Sequence, residues 1–159
     1  MKFISPSDGI LDIHQVFEAI LNYINAEPEE KYRLIIGTDS QPKQGDTVFV
    51  TAIIIYRIGR GGRFFYRKEH DVSKFSMKQR IFYEVSKSLE VASYLTGFFA
   101  NESDLMEELE VEIHLDVGEK GPTREIIKEV VGMVVGSGYE AHIKPESYAA
   151  SSVADRFTK

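Results

Sequence analysis

Arg33-Leu34-Ile35-Ile36-Gly37-Thr38-Asp39-Ser40-Gln41 is an apolar run that flows into a small polar cluster holding one carboxylate. Followed by the turn-forming Pro42-Lys43-Gln44-Gly45-Asp46, it reads as a buried strand with Asp39 at its far end. A second run, Glu110-Val111-Glu112-Ile113-His114-Leu115-Asp116-Val117-Gly118, ends in the same way. Two strands that each carry an Asp at the same end, once adjacent in a sheet, bring two carboxylates within reach of one metal ion.

Composition bounds the rest. The chain has 159 residues, 43% of them hydrophobic, enough for one well-buried domain and short for two. The expectation is a single domain over residues 1–159, with residues 1–31 as a helical extension packed on it. Nineteen basic and 25 acidic residues give a net charge of -6, the wrong sign for a general nucleic-acid coat. A polyanion would need a local basic patch or metal ions. Without cysteine, disulfides, thiolate zinc sites and cysteine nucleophiles are excluded. The start of the chain lacks a basic-then-apolar leader, and no apolar run approaches membrane-spanning length. A cytoplasmic protein with no membrane partner is expected.

Taken in order, residues 1–9 read as irregular. A helix starts near Asp12, with Ile13, Val16, Phe17, Ile20, Leu21 and Ile24 at helical spacing. The strand from about Tyr32 to Asp39 follows, then a β-branched strand from Thr47 to Ile58. A Gly59-Arg60-Gly61-Gly62 turn leads into a third strand from Arg63 to His70. Ser76 caps an amphipathic helix reaching about Phe98, and Asn101–Glu108 adds one short helical turn. After the Asp116 strand, Pro122 and Thr123 open a helix that Gly136-Ser137-Gly138 stops. A short strand from Tyr139 to Ile143 and a terminal helix from Ser147 to Phe157 complete the chain. The result is an α/β domain on a mixed five-stranded sheet, three antiparallel strands then two parallel crossovers, flanked by helices.

Glu84 in the first turns of the long helix and Asp155 near the end add two carboxylates to Asp39 and Asp116. Phosphodiester hydrolysis with two divalent ions needs several acidic ligands from different elements. Mg2+ or Mn2+ suits such an oxygen-only set.

This element order is similar to that of the ribonuclease H-like superfamily. More narrowly, Ile36-Gly37-Thr38-Asp39-Ser40-Gln41 and Ser147-Tyr148-Ala149-Ala150-Ser151-Ser152-Val153-Ala154-Asp155 resemble the bacterial YkuK-like family assigned to it. The resemblance covers nearly the whole chain and implies catalytic and metal roles for Asp39, Glu84, Asp116 and Asp155, with Glu90 as a rival to Glu84. It also implies two bound ions and an RNA or DNA substrate. The segment between Asp116 and Asp155 holds one crossover helix where ribonuclease H enzymes usually have more, and no basic handle for hybrid duplexes. That places it closer to compact resolvase-like and exonuclease-like relatives.

Each candidate has a plainer reading. Asp39 also fits a hydrogen-bonded strand end, Glu84 an exposed helix carboxylate, and Asp155 a surface pair with Arg156. Asp116-Val117-Gly118-Glu119-Lys120-Gly121 also resembles the Asp-x-Gly phosphate loop of actin-like ATPases, though Pro122 starts a helix where those loops enter a hairpin. His70, His114 and His142 show no His-x-x-x-His spacing and read as structural, with His142 kept as a candidate proton shuttle. Arg57, Arg60, Arg63, Arg67 and Lys68 are interleaved with Phe64, Phe65 and Tyr66, a pattern that grips phosphates and bases or seals a sheet edge. Lys144 and Lys159 are candidates to meet a phosphate near the acidic cleft. The function expected is a divalent-metal-dependent nuclease or related phosphoryl-transfer enzyme. The alternative is a non-catalytic nucleic-acid- or protein-binding module on the same fold.

Overall fold

In the computed structural model, which describes residues 1–102 and 109–147 with Ala150, Ser152, Val153 and Phe157, the chain enters through a hairpin. Its strands are β1 (Lys2–Ser5) and β2 (Gly9–Asp12), and helix α1 (Ile13–Ala26) follows. The meander is β3 (Tyr32–Lys43), β4 (Asp46–Arg57) and β5 (Gly61–Asp71), and it leads into the long helix α2 (Met77–Phe99). Then come β6 (Glu110–His114), a 3-10 turn at Arg124–Ile126, α3 (Ile127–Gly136) and β7 (Glu140–His142). The strands form one mixed sheet in the order β2-β1-β5-β4-β3-β6-β7.

Alternation along the strands sorts side chains between two faces. Leu34, Ile36, Ile53, Ile55, Phe65 and Ile113 point into the main core. Val16, Phe17, Ile20 and Ile24 of α1, together with α2 and with Val130 and Val134 of α3, cover that core. Each large side chain buried there contributes about 1.5–3 kcal/mol. Val48, Val50 and Ala52, on the opposite face of β4, pack with Tyr66, Val153 and Phe157. Both helix starts are set by capping boxes, Asp12 with Gln15 and Ser76 with Gln79.

The α/β class and the mixed sheet agree with the sequence reading, but the sheet has seven strands instead of five. Of the two extra strands, β1 lies in residues 1–9, expected to be irregular, and β2 runs from the end of that stretch to the start of the helix. Each is four residues long, too short for period-2 alternation to stand out against Pro6, Ser7 and Gly9. Phe3 anchors them, being fully buried, and β1 joins β5 through Ile4 and Tyr66. β6 stops at His114, so Asp116 sits two residues past the strand end. The helix expected from Pro122 begins instead as a 3-10 turn, and α3 starts at Ile127. The helical turn expected within Asn101–Glu108 lies almost wholly outside the described residues. Among those residues, no helix is long and apolar enough to cross a membrane.

Candidate metal centre

Parallel pairing of β3 with β6 aligns Gly37 with His114. Carrying that register two residues further sets Asp116 beside Asp39. Glu84, from the second turn of α2, arrives over the same point, and ligand oxygens of Asp39, Glu84 and Asp116 all lie within 4.8 Å of one another. Asp39 and Glu84 are 7% and 5% exposed, while Asp116 is partly open to solvent.

Buried hydroxyls fix the helix on the strand at this level. Thr38 Oγ1 lies 2.8 Å from Ser88 Oγ and 3.0 Å from Thr51 Oγ1, tying α2, β3 and β4 together one turn from Glu84. Ser40 donates its hydroxyl to Glu84 Oε2, and Arg80 reaches the Ser40 carbonyl at 3.4 Å. Burial pushes the Glu84 carboxyl well above the usual carboxylate range. The Ser40 hydrogen bond opposes that shift, the charges of Asp116 and Asp39 add to it, and Arg80 offsets part of it.

Lys144 supplies a cation at the open side, its Nζ 2.7 Å from Asp116 Oδ1. Backbone bonds hold it there: Leu115 N–H donates to the His142 carbonyl and Lys144 N–H to the Val117 carbonyl. Gly118, Lys120, Lys144 and Pro145 line a cleft of about 540 Å³ at this edge. The Gly118 amide donates to Thr123 Oγ1 at 3.1 Å, so it is already engaged within its own loop.

Three of the four carboxylates expected from the sequence therefore converge. Asp155, with Arg156 and Lys159, lies outside the described residues. Ala150 packs so closely on Gly37 that a Cβ there would meet the Ala150 Cβ at 2.5 Å, which sets Ala150 against β3. Glu90 is exposed and does not join the cluster.

The basic hairpin points elsewhere. Arg63 pairs across to Ile55, which pairs with Leu34, five residues or about 17 Å along β3 from Asp39. Arg63 lies 2.6 Å from Asp8, and Arg60 reaches Glu30 at 3.4 Å. Arg57 stacks over Tyr23 and bonds the Tyr32 hydroxyl. Arg67 is level with Thr38 but two strands away, against Glu69. The aromatics are used internally: Phe65 is fully buried and Tyr66 stacks on Phe157 at 3.7 Å.

A second cluster escaped the sequence reading. Glu112, His114 and His142 offer ligand atoms within 4.8 Å of one another. Burial pushes the His114 imidazole below its usual range, against the pull of Glu112, which leaves the ring neutral at pH 7. No His-x-x-x-His signal exists because the second histidine comes from the neighbouring strand. The legible trace was Glu112-x-His114 alternation on one face.

A meander, a parallel return strand and helices packed on the mixed sheet make the ribonuclease H-like arrangement. A family model described as "Ribonuclease H-like" matches residues 15–159, and the chain belongs to that family. It is 36% identical over 167 residues to a Bacillus subtilis (strain 168) protein described as "Uncharacterized protein YkuK", covering 99% of this chain and 96% of that protein. No solved structure matches the chain.

Proposed function

We propose that the chain is a divalent-metal-dependent nuclease, or a related phosphoryl-transfer enzyme, acting on RNA or DNA. Asp39, Glu84 and Asp116 are its metal ligands, and Asp155 is the fourth carboxylate that family resemblance adds. The reading is carried by the convergence of three carboxylates from three separate elements within 4.8 Å.

The residues present fit Mg2+ or Mn2+. The donors are all carboxylate oxygens, the set hard cations prefer. Burial raises Glu84 and the charges of Asp116 and Asp39 add to that, while the Lys144 ammonium already stands against Asp116. When bound, divalent ions supply Lewis-acid activation of water and offset charge building on the phosphodiester.

The chain's own groups position the reaction. The Ser40 hydroxyl orients Glu84, and the Thr38–Ser88 bond keeps α2 at fixed height over β3. Lys120 and Lys144 line the neighbouring cleft with Glu119 and Glu146, and the two ammonium groups are its cationic partners for a substrate phosphate. With metal removed, the acidic pocket repels a polyanion, so chelator leaves the enzyme inert.

The test is cleavage of end-labelled single-stranded and duplex RNA and DNA in Mg2+, Mn2+ or chelator. Cleavage that requires the ion and is lost in Asp39→Asn is expected. A wild-type protein that binds Mn2+ yet cuts none of the four substrates would favour the binding-module alternative.

A further inference from the structure

Glu112 and His114 are alternate residues of β6 and leave the same face of the sheet. Parallel pairing with β7 sets Glu140 beside Glu112 and His142 beside His114. Both imidazole Nε2 atoms lie 3.2 Å from a single oxygen, Glu112 Oε1. Charge-assisted hydrogen bonds are shorter, about 2.7–2.9 Å. Ligand atoms around a tetrahedral ion with bonds of about 2.0–2.1 Å stand roughly 3.3 Å apart. That is close to the distance from Glu112 Oε1 to each imidazole, and all three ligand atoms lie within 4.8 Å of one another.

The surroundings point the same way. Glu112 and His114 are 3% and 6% exposed, so a carboxylate and a ring are held inside the sheet with little room to reorient. The second oxygen of Glu112 faces Arg33 Nε at 3.4 Å, leaving Oε1 to the two imidazoles. The Ser147 backbone lies by the His114 ring, yet His114 Nδ1 makes no hydrogen bond of ordinary geometry. The ring is thus placed chiefly through its Nε2 side. His142 is 24% exposed at the rim, with Glu140 Oε1 2.9 Å from its Nε2. That edge gives an ion a way in and a further carboxylate.

We propose that Glu112, His114 and His142 form a second, imidazole-rich site that binds a borderline divalent cation such as Zn2+. It is distinct from the oxygen-only triad. Two imidazoles and a carboxylate select Zn2+ or its neighbours over Mg2+. The ion joins β6 to the short edge strand β7. Asp116 and Lys144 each follow a ligand by two residues, so it also steadies the wall of the acidic site.

The test uses the full chain in saturating Mg2+, which fills the acidic triad, with Co2+ as the spectroscopic probe and Zn2+ as competitor. Expected are intense visible absorption of low-symmetry Co2+ at one ion per chain, its displacement by Zn2+, and a Zn2+-dependent rise in melting temperature. His142→Asn, at a partly exposed position compatible with folding, should weaken Co2+ and Zn2+ binding at least about 10–100-fold. Glu84→Gln should leave both affinities unchanged. No absorption with the wild type, equal affinity in His142→Asn, or loss in Glu84→Gln instead would each overturn the proposal. The last outcome would mean that the ion uses the acidic triad.

Discussion

The two clusters at the β6–β7 side of the sheet treat a buried carboxylate in opposite ways. Glu112 is surrounded by compensation: Arg33 on one oxygen and two imidazoles on the other. Glu84 meets a hydroxyl and then two more carboxylates, with Arg80 as a partial offset. A buried charge without sufficient partners destabilises a fold. The difference teaches that one cluster shares its carboxylate among a guanidinium and two imidazoles, the latter being donors suited to a borderline cation. The other sets carboxylate against carboxylate with an excess of acidic groups. That excess supports the proposed role of the acidic triad as a cation site.

The largest effect that can break this comparison is on activity. Asp39→Asn or Asp116→Asn removes a ligand oxygen worth several kcal/mol of transition-state stabilisation, so cleavage should fall by about 10³-fold or more while the fold persists. Turnover assays paired with circular dichroism check this. Undiminished cleavage would remove the acidic triad from the chemistry.

Next in size is an opposite pair of stability changes. Glu84→Gln in chelator should stabilise the chain by about 1–3 kcal/mol, the scale of relieving a poorly satisfied buried group. At roughly 2–4 °C per kcal/mol, a melting scan resolves it. Glu112→Ala should destabilise by a similar amount, because it strips both imidazoles of their shared acceptor. Equal signs for the two variants would erase the distinction drawn here.

The pH dependence sharpens it further. Burial raises Glu84 in the folded chain, so the unfolded chain ionises at lower pH. In chelator, stability should therefore fall as pH climbs from the ordinary carboxylate range toward the raised Glu84 value, then level off. Glu84→Gln should lack that fall. Denaturant titrations at several pH values measure it, and an unchanged slope in the variant would assign the effect to another group.

The smallest effect belongs to the hydroxyls that hold α2 on the sheet. Ser88→Ala removes the partner of Thr38 and should cost about 1 kcal/mol, with a modest loss of cleavage from a helix that no longer holds Glu84 at one height. A Tm unchanged within error would show that the Thr38–Thr51 contact suffices.

How much of this was legible depends on whether the signal lay along the chain or across it. The Ser76 cap and the helical spacing of α2 are local patterns that the structure follows, and the apolar runs before Asp39 and Asp116 do form strands. But β3 continues past Asp39 to Lys43 and β6 stops at His114, so neither carboxylate sits at the strand end expected. Strands β1 and β2 are too short to show a period, so Pro6 and Gly9 dominated their reading. The choice of Glu84 over Glu90 came from family resemblance, and helix phase supports it: six residues turn a side chain well away from the buried face. The Glu112–His114–His142 cluster depends on parallel register between β6 and β7. Register is a tertiary fact that no spacing within one strand encodes. The ion pairs that engage Arg60 and Arg63 likewise come from Glu30 and Asp8, distant in sequence.

The central claim is that the carboxylates of β3, α2 and the β6 end hold catalytic cations. Anomalous diffraction from a crystal soaked in Mn2+ tests it most directly. Manganese peaks are expected between Asp39, Glu84 and Asp116, with the Lys144 ammonium displaced from Asp116. Peaks confined to other surfaces, with Lys144 still seated on Asp116, would contradict it.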